Sequence, residues 1–183
     1  MVQTGMATTL ARGLSLWLIP EIKAAEHFSS WIARLATRHQ TEGFPPHLTL
    51  LSALPHGPQA LNLAGRLASG IAPFPVTPED IQAREEHFRC LFVRVRNDPA
   101  LLAVHATAAH AFGRAPDPGF LPHVSLVYGA LAPDERLAIA REVGDDLRSP
   151  FEVRRLQLWR TEGPVSEWRE LAAFDLRRSF GSP

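Results

Sequence analysis

The chain has 183 residues, 45% hydrophobic and 21% charged, which is ordinary composition for one compact unit that folds without a disulfide or metal staple. Its 19 basic and 19 acidic side chains cancel, which argues against a protein that coats long nucleic acid yet leaves room for a local phosphate site. Cys90 is the one cysteine and Lys23 the one lysine, so intrachain disulfides, multi-cysteine zinc sites and a G-x-x-x-x-G-K-[ST] phosphate loop are excluded.

Leu14 to Ile19 is a short apolar run ended by Pro20, a strand rather than a signal core. No 18-residue apolar stretch follows, and a cytoplasmic protein without a membrane partner is expected. From Glu21 to about Arg38, Ile22, Ala25, Phe28, Ile32 and Leu35 recur at spacings of three and four, one face of a helix. Gly43 stops it, and Pro45-Pro46 forces extended backbone into a strand over His47 to Leu51. A helix is expected from Gln59 to Ser69, and the proline-rich Ala72 to Pro78 reads as loop or edge strand.

The second half follows the same plan. Phe88 to Arg96 suits a central strand, and Asp98 can cap a helix with Pro99 at its first position, running to about Phe112. After a loop over Gly113 to Gly119 come a strand from His123 to Tyr128 and a helix from Pro133 to about Leu147. Strand-like runs over Phe151 to Trp159 and Trp168 to Leu176 close the chain. Leu16 to His47 and Phe92 to His123 both span 31 residues, which supports an internal duplication. The expected fold class is α+β, two similar lobes with antiparallel-rich sheets and helices outside. Residues 13–176 form one unit, with 1–12 and 177–183 as terminal extensions.

A bare H-x-[ST] pattern occurs at His27, His39, His47, His105 and His123 and alone signifies little. Phe44-Pro45-Pro46-His47-Leu48-Thr49-Leu50-Leu51 and Phe120-Leu121-Pro122-His123-Val124-Ser125-Leu126-Val127 differ from the rest. Both read F-x-P-H-φ-[ST]-L-φ, with φ aliphatic, and fall at matching points of the two halves. On a strand His47 shares a face with Thr49, and His123 with Ser125, while the aliphatic residues anchor the opposite face. Facing each other, the two strands bring two imidazoles and two hydroxyls around one small volume. One neutral imidazole can take a proton from water, the other can protonate a leaving oxygen, and the hydroxyls can hold phosphate oxygens. His27, His39 and His105 lie in helical patterns and read as satisfied structural histidines; His56, His87 and His110 read as loop or helix-surface residues.

The paired motifs, Tyr128 after the second, and the order of segments resemble the 2H phosphoesterase superfamily, within it the cyclic phosphodiesterases of the plant and yeast type. Leu16 to Pro20 is similar to that family's opening strand, Phe88 to Phe92 to its central one, Leu121 to Leu131 to its second motif, and Leu156 to Trp168 to its closing hairpin. The likeness runs from Gly13 to Leu176 and is weakest from His56 to Glu86. It implies a bilobal fold around a central groove and metal-independent opening of ADP-ribose 1″,2″-cyclic phosphate or nucleoside 2′,3′-cyclic phosphates, with no cofactor. It further implies that His47 and His123 are the catalytic pair and that Thr49, Ser125 and Tyr128 bind phosphate. Tyr128 is five residues from His123, wrong for the same face, so the strand must twist or end there. Phe88, Trp159 and Trp168 are candidates to hold a base or ribose, and Arg84, Arg89 and Arg160 to meet a second phosphate. The expected partner is a small cyclic phosphate taken up by a monomer. The alternatives are processing of RNA 3′ ends with cyclic or 2′,5′ linkages, and a non-catalytic nucleotide-binding module.

Overall fold

The computed structural model describes residues 11–177, so most of the two expected terminal extensions lies outside it. In chain order the elements are β1 (Leu14–Pro20), α1 (Ile22–His39), β2 (Leu48–Leu54), α2 (Pro58–Ser69), β3 (Phe74–Val76) and β4 (Pro78–Gln82). They continue with β5 (Leu91–Val95), α3 (Pro99–Ala111), β6 (His123–Val127), α4 (Pro133–Val143), β7 (Phe151–Arg160) and β8 (Arg169–Asp175). The eight strands make one sheet in the order β3-β7-β1-β2-β6-β5-β4, with β8 also on β7, and every pairing is antiparallel.

Alternation along the strands separates two faces. Leu14, Leu16 and Leu18 of β1, Leu48 and Leu50 of β2, Val93 of β5, and Val124 and Leu126 of β6 enter one apolar core. The helices complete that core: α1 contributes Phe28, Trp31, Ile32 and Leu35, the face expected from its spacing. Truncating any of these large buried side chains to alanine is expected to cost about 2–5 kcal/mol. The residues of opposite parity, Ser15, Trp17, Thr49, Phe92 and Ser125, lie on the other face and build the groove described below.

The two lobes are not the two halves of the sequence. β4 follows the first repeat but pairs β5 of the second, whereas β7 follows the second repeat and pairs β1 of the first. Each repeat therefore gives its last long strand to the other lobe. The expected equality of spacing is also off by one residue, because Trp17 pairs Thr49 while Phe92 pairs Ser125. Trp17, not Leu16, is the counterpart of Phe92, since Leu16 faces the core.

Several element ends differ from expectation for local reasons. The strand expected from Phe88 begins at Leu91, because His87–Arg89 turn as a short 3₁₀ segment. Ala72 to Pro78 does contain an edge strand, β3, but β4 was not foreseen. α4 ends at Val143 instead of Leu147, since Gly144 takes φ +51° and turns the chain. Asp98 occupies the cap position of α3, yet its carboxylate pairs with Arg96 at 2.8 Å and makes no capping bond. Gly13 has φ +72°, and a Cβ there would collide with the Leu54 carbonyl, so the entry into β1 demands glycine.

Candidate active site

The lobes meet where β2 and β6 pair, and the registered partners there are Leu48 and Val124, the residues that follow the two motif histidines. Carrying this antiparallel register one residue to either side sets His47 across from Ser125 and Thr49 across from His123. All four side chains then leave the groove face, at the corners of a quadrilateral about 5 by 7 Å. The histidines occupy one diagonal, about 7–8 Å at the backbone, which leaves room for a phosphorus atom between their ring tips. Each histidine thus faces the other motif's hydroxyl.

The two rings are held alike. His47 Nδ1–H donates to the Pro45 carbonyl at 2.7 Å, and His123 Nδ1–H to the Leu121 carbonyl at 2.8 Å. A carbonyl only accepts, so the proton of each neutral imidazole is on Nδ1 and Nε2 carries the lone pair that can accept a proton. The motif's own backbone, two residues upstream, supplies both restraints. An aromatic ring backs each histidine: Trp17 stacks on His47 at 3.5 Å and 7°, and Phe92 lies 4.9 Å from His123 at 59°.

Burial disfavours the charged form of both imidazoles. His47 falls to about 3, mainly through desolvation; the Pro45 carbonyl opposes this, and a weaker repulsion from His123 adds to the lowering. His123 is lowered also, mainly by desolvation and further by Arg89 and Arg84, while the Leu121 carbonyl and Glu86 oppose. Tyr128 begins immediately after β6 ends at Val127, which resolves its wrong parity. Its hydroxyl is 3.4 Å from His47 Nε2, its ring stacks on Phe44 of the first motif at 3.7 Å, and burial raises its pKa, so it remains a neutral phenol. Ser125 Oγ donates to the Phe88 carbonyl at 3.1 Å, whereas Thr49 makes no side-chain hydrogen bond among the described residues. Thr49 is therefore the freer donor toward a ligand.

A cavity of about 500 Å³ opens over these groups and includes His47, Thr49, His123, Ser125 and Tyr128 in its lining. Of the three candidate aromatics, Phe88 and Trp168 line it, 5.7 Å apart, and Trp159 does not. Trp159 stacks on Trp17 at 4.4 Å and gives its N–H to Gln157, so Trp17 takes the place in the groove that was assigned to it. Strand parity could have found Trp17, which alternates with Leu16 and Leu18. Of the three arginines expected near a second phosphate, Arg89 lines the cavity and Arg84 and Arg160 do not. Arg89 is paired with Glu86 at 3.5 Å, and Arg160 with Glu162 at 3.2 Å. Among the lining residues without an earlier site assignment are Arg12, expected in a terminal extension, His87, expected as a loop or helix-surface residue, and the acidic Glu85 and Glu86. No group of three or more His, Cys, Asp or Glu suited to a metal ion occurs among the described residues. No helix among them is long and apolar enough to cross a membrane.

The sequence model of the 2'-5' RNA ligase superfamily matches residues 20–164. A cyclic phosphodiesterase of Arabidopsis thaliana is 22% identical over 171 residues, which cover 88% of this chain and 94% of that protein. Among solved structures, TT0787 of Thermus thermophilus superposes with a TM-score of 0.59 at 21% identity, over 91% of this chain and 98% of that one. E. coli LigT, solved with 3′-AMP, superposes with a TM-score of 0.61 at 16% identity, over 93% of this chain and all of that one. These likenesses show the α+β fold with its nearly closed antiparallel sheet.

Proposed function

The chain belongs to the 2'-5' RNA ligase superfamily, the 2H phosphoesterases, and on that premise we propose that it is a cyclic phosphodiesterase acting on nucleoside 2′,3′-cyclic phosphates or ADP-ribose 1″,2″-cyclic phosphate. The observation that carries this reading is the pair of imidazoles, each tied through Nδ1 to its own motif backbone and each offering Nε2 to one cavity. The A. thaliana relative's name and the nucleotide in the LigT structure agree with it.

His47 is the general base and His123 the general acid, because His47 is the more deeply buried and the harder to protonate. Water attacks phosphorus and gives its proton to His47 Nε2. The phosphorus–oxygen bond to one ribose oxygen breaks, and that oxygen takes the proton held on His123 Nε2. One water is consumed, a phosphomonoester and a free hydroxyl result, and exchange with solvent resets both rings. Thr49 and Tyr128 donate to the non-bridging oxygens, where charge is concentrated, and Ser125 joins them when its O–H turns from the Phe88 carbonyl to the phosphate. Phe88 and Trp168 offer apolar faces to the nucleoside, and Arg12, which has no carboxylate partner among the described residues, can meet a further phosphate.

The test is turnover of 2′,3′-cyclic AMP beside a short RNA with a cyclic 3′ end, followed by ³¹P NMR. Ring opening is expected with wild type, with a loss of at least about 10²-fold in His47→Ala and in His123→Ala. Exclusive turnover of the RNA moves the assignment to RNA-end processing. Binding without turnover of either leaves a nucleotide-binding module.

A further inference from the structure

His105 stands on α3, away from the groove lining, and is 5% exposed. It carries the same bare H-x-[ST] pattern as the motif histidines, but its Thr107 bonds back to the Ala103 carbonyl within the helix. The ring of His105 touches both motifs. Nδ1–H donates to the carbonyl of Leu50, one residue beyond Thr49, at 3.1 Å. Nε2 accepts the backbone N–H of Asp117 at 3.2 Å. Its face lies on Phe120, the first residue of the second motif, at 3.8 Å and 5°. Only the neutral ring with its proton on Nδ1 satisfies both hydrogen bonds.

The reason such a link matters is the seam. Leu48 and Val124 are the registered pair joining β2 to β6, so the backbone ladder there does little to fix the distance between His47 and His123. The loop after α3 is also clamped to β2 by Arg114, whose guanidinium donates to the carbonyls of Ser52 and Ala53. α3 and its loop therefore grip β2 at residues 50, 52 and 53 and deliver the second motif from that grip.

We propose that His105 is a positioning residue for the reaction, setting the second motif against the first through its bonds to Leu50 and Asp117 and its stack on Phe120. The inference rests on the function proposed above. Acid–base catalysis across one phosphorus depends on placement, and a displacement of about 1 Å can cost about 10²-fold in rate. His105 acts on kcat through His123 and His47, with little effect on substrate affinity.

Three variants separate its contacts. His105→Phe keeps the stack and removes both hydrogen bonds, His105→Asn keeps a donor toward Leu50, and His105→Gln keeps an acceptor toward Asp117. Hydrolysis of 2′,3′-cyclic AMP is measured well below the lowest melting temperature of the set. The expected result is a kcat lower by about 10–100-fold in His105→Phe with KM within about threefold, and intermediate kcat in the two amides. If His105→Phe fails to fold, the same kcat loss at constant KM in the amides carries the result. Wild-type kcat in the folded variants, or a change confined to KM, overturns the inference even if melting temperatures fall. An inactive wild type overturns instead the function on which the inference rests.

Discussion

The most exacting consequence of the site concerns pH. Two ordinary imidazoles, each near 6.5, would put the optimum of an acid–base pair between about pH 6 and 8. Burial moves this pair downward: His47 to about 3 and His123 to below the ordinary histidine value. At pH 6.5 the protonated share of His47 is then roughly one in 3,000, so the single proton the mechanism needs is carried by His123. In the free enzyme kcat/KM should rise through a limb near 3, hold a plateau in mildly acid solution, and fall as His123 deprotonates below pH 6.5. At pH 7.5 it should be at least roughly tenfold below the plateau. A bound phosphodiester is an anion between the rings and favours their charged forms, so the limbs of kcat should lie to the alkaline side of those of kcat/KM. Initial rates with 2′,3′-cyclic AMP from pH 3.5 to 9, at saturating and limiting substrate, measure both profiles. A kcat/KM that still climbs between pH 7 and 8, or identical profiles for kcat and kcat/KM, refutes the assignment of roles.

The same depression has a cost in stability. Between pH 6.5 and about 3 the unfolded chain binds a proton at residue 47 that the folded chain refuses, so stability falls with pH across that window. From pH 6.5 to 4.5 the loss from His47 is up to about 2.7 kcal/mol, and His47→Gln should show a smaller drop in urea midpoint over that interval. Thr49→Val should lower kcat/KM by about tenfold with an unchanged melting temperature, because its hydroxyl has no partner to abandon. Ser125→Ala should lower activity too, and in addition lose about 1 kcal/mol in denaturant titration by unpairing the Phe88 carbonyl. In the proposed scheme imidazolium takes the place of a Lewis acid, so full activity is expected after dialysis against EDTA; loss restored by a divalent ion would defeat the two-histidine scheme.

The parts of the fold that follow from local pattern were legible. The α1 face is in the three-and-four spacing, the motif strands in Pro45-Pro46 and Pro122, and the end of β6 in the parity of Tyr128. What local pattern lacks is partner choice. Nothing in Pro78–Gln82 says that it joins β5 or that β7 crosses to β1, since antiparallel pairing at long range leaves no mark in either strand alone. The site shows the same division. Both histidines and both hydroxyls could be read because a repeat names them twice. Trp17 lies opposite Gln157 and Trp159 opposite Ser15 on paired strands; parity puts Trp17 on the groove face, but only the stacking of the two rings shows that Trp159 does not reach the cavity. Arg12 was hidden by its place before the first strand, although Gly13 next to it is a turn that brings it back over the cavity.

The exchange of strands and the position of the site are two sides of one arrangement. The seven-pair ladder of β7 beside β1 and the shorter one of β4 beside β5 bind the halves together. β2 and β6 share only the registered pair Leu48 and Val124. The imidazoles and hydroxyls stand around that seam, and the cavity lining extends from it to Arg12 and to Phe88. Substitutions in β4 or β7 should therefore act on folding. Those that touch the seam from outside, such as at His105, Phe44 or Phe120, should act on the alignment of two rings in an otherwise intact fold.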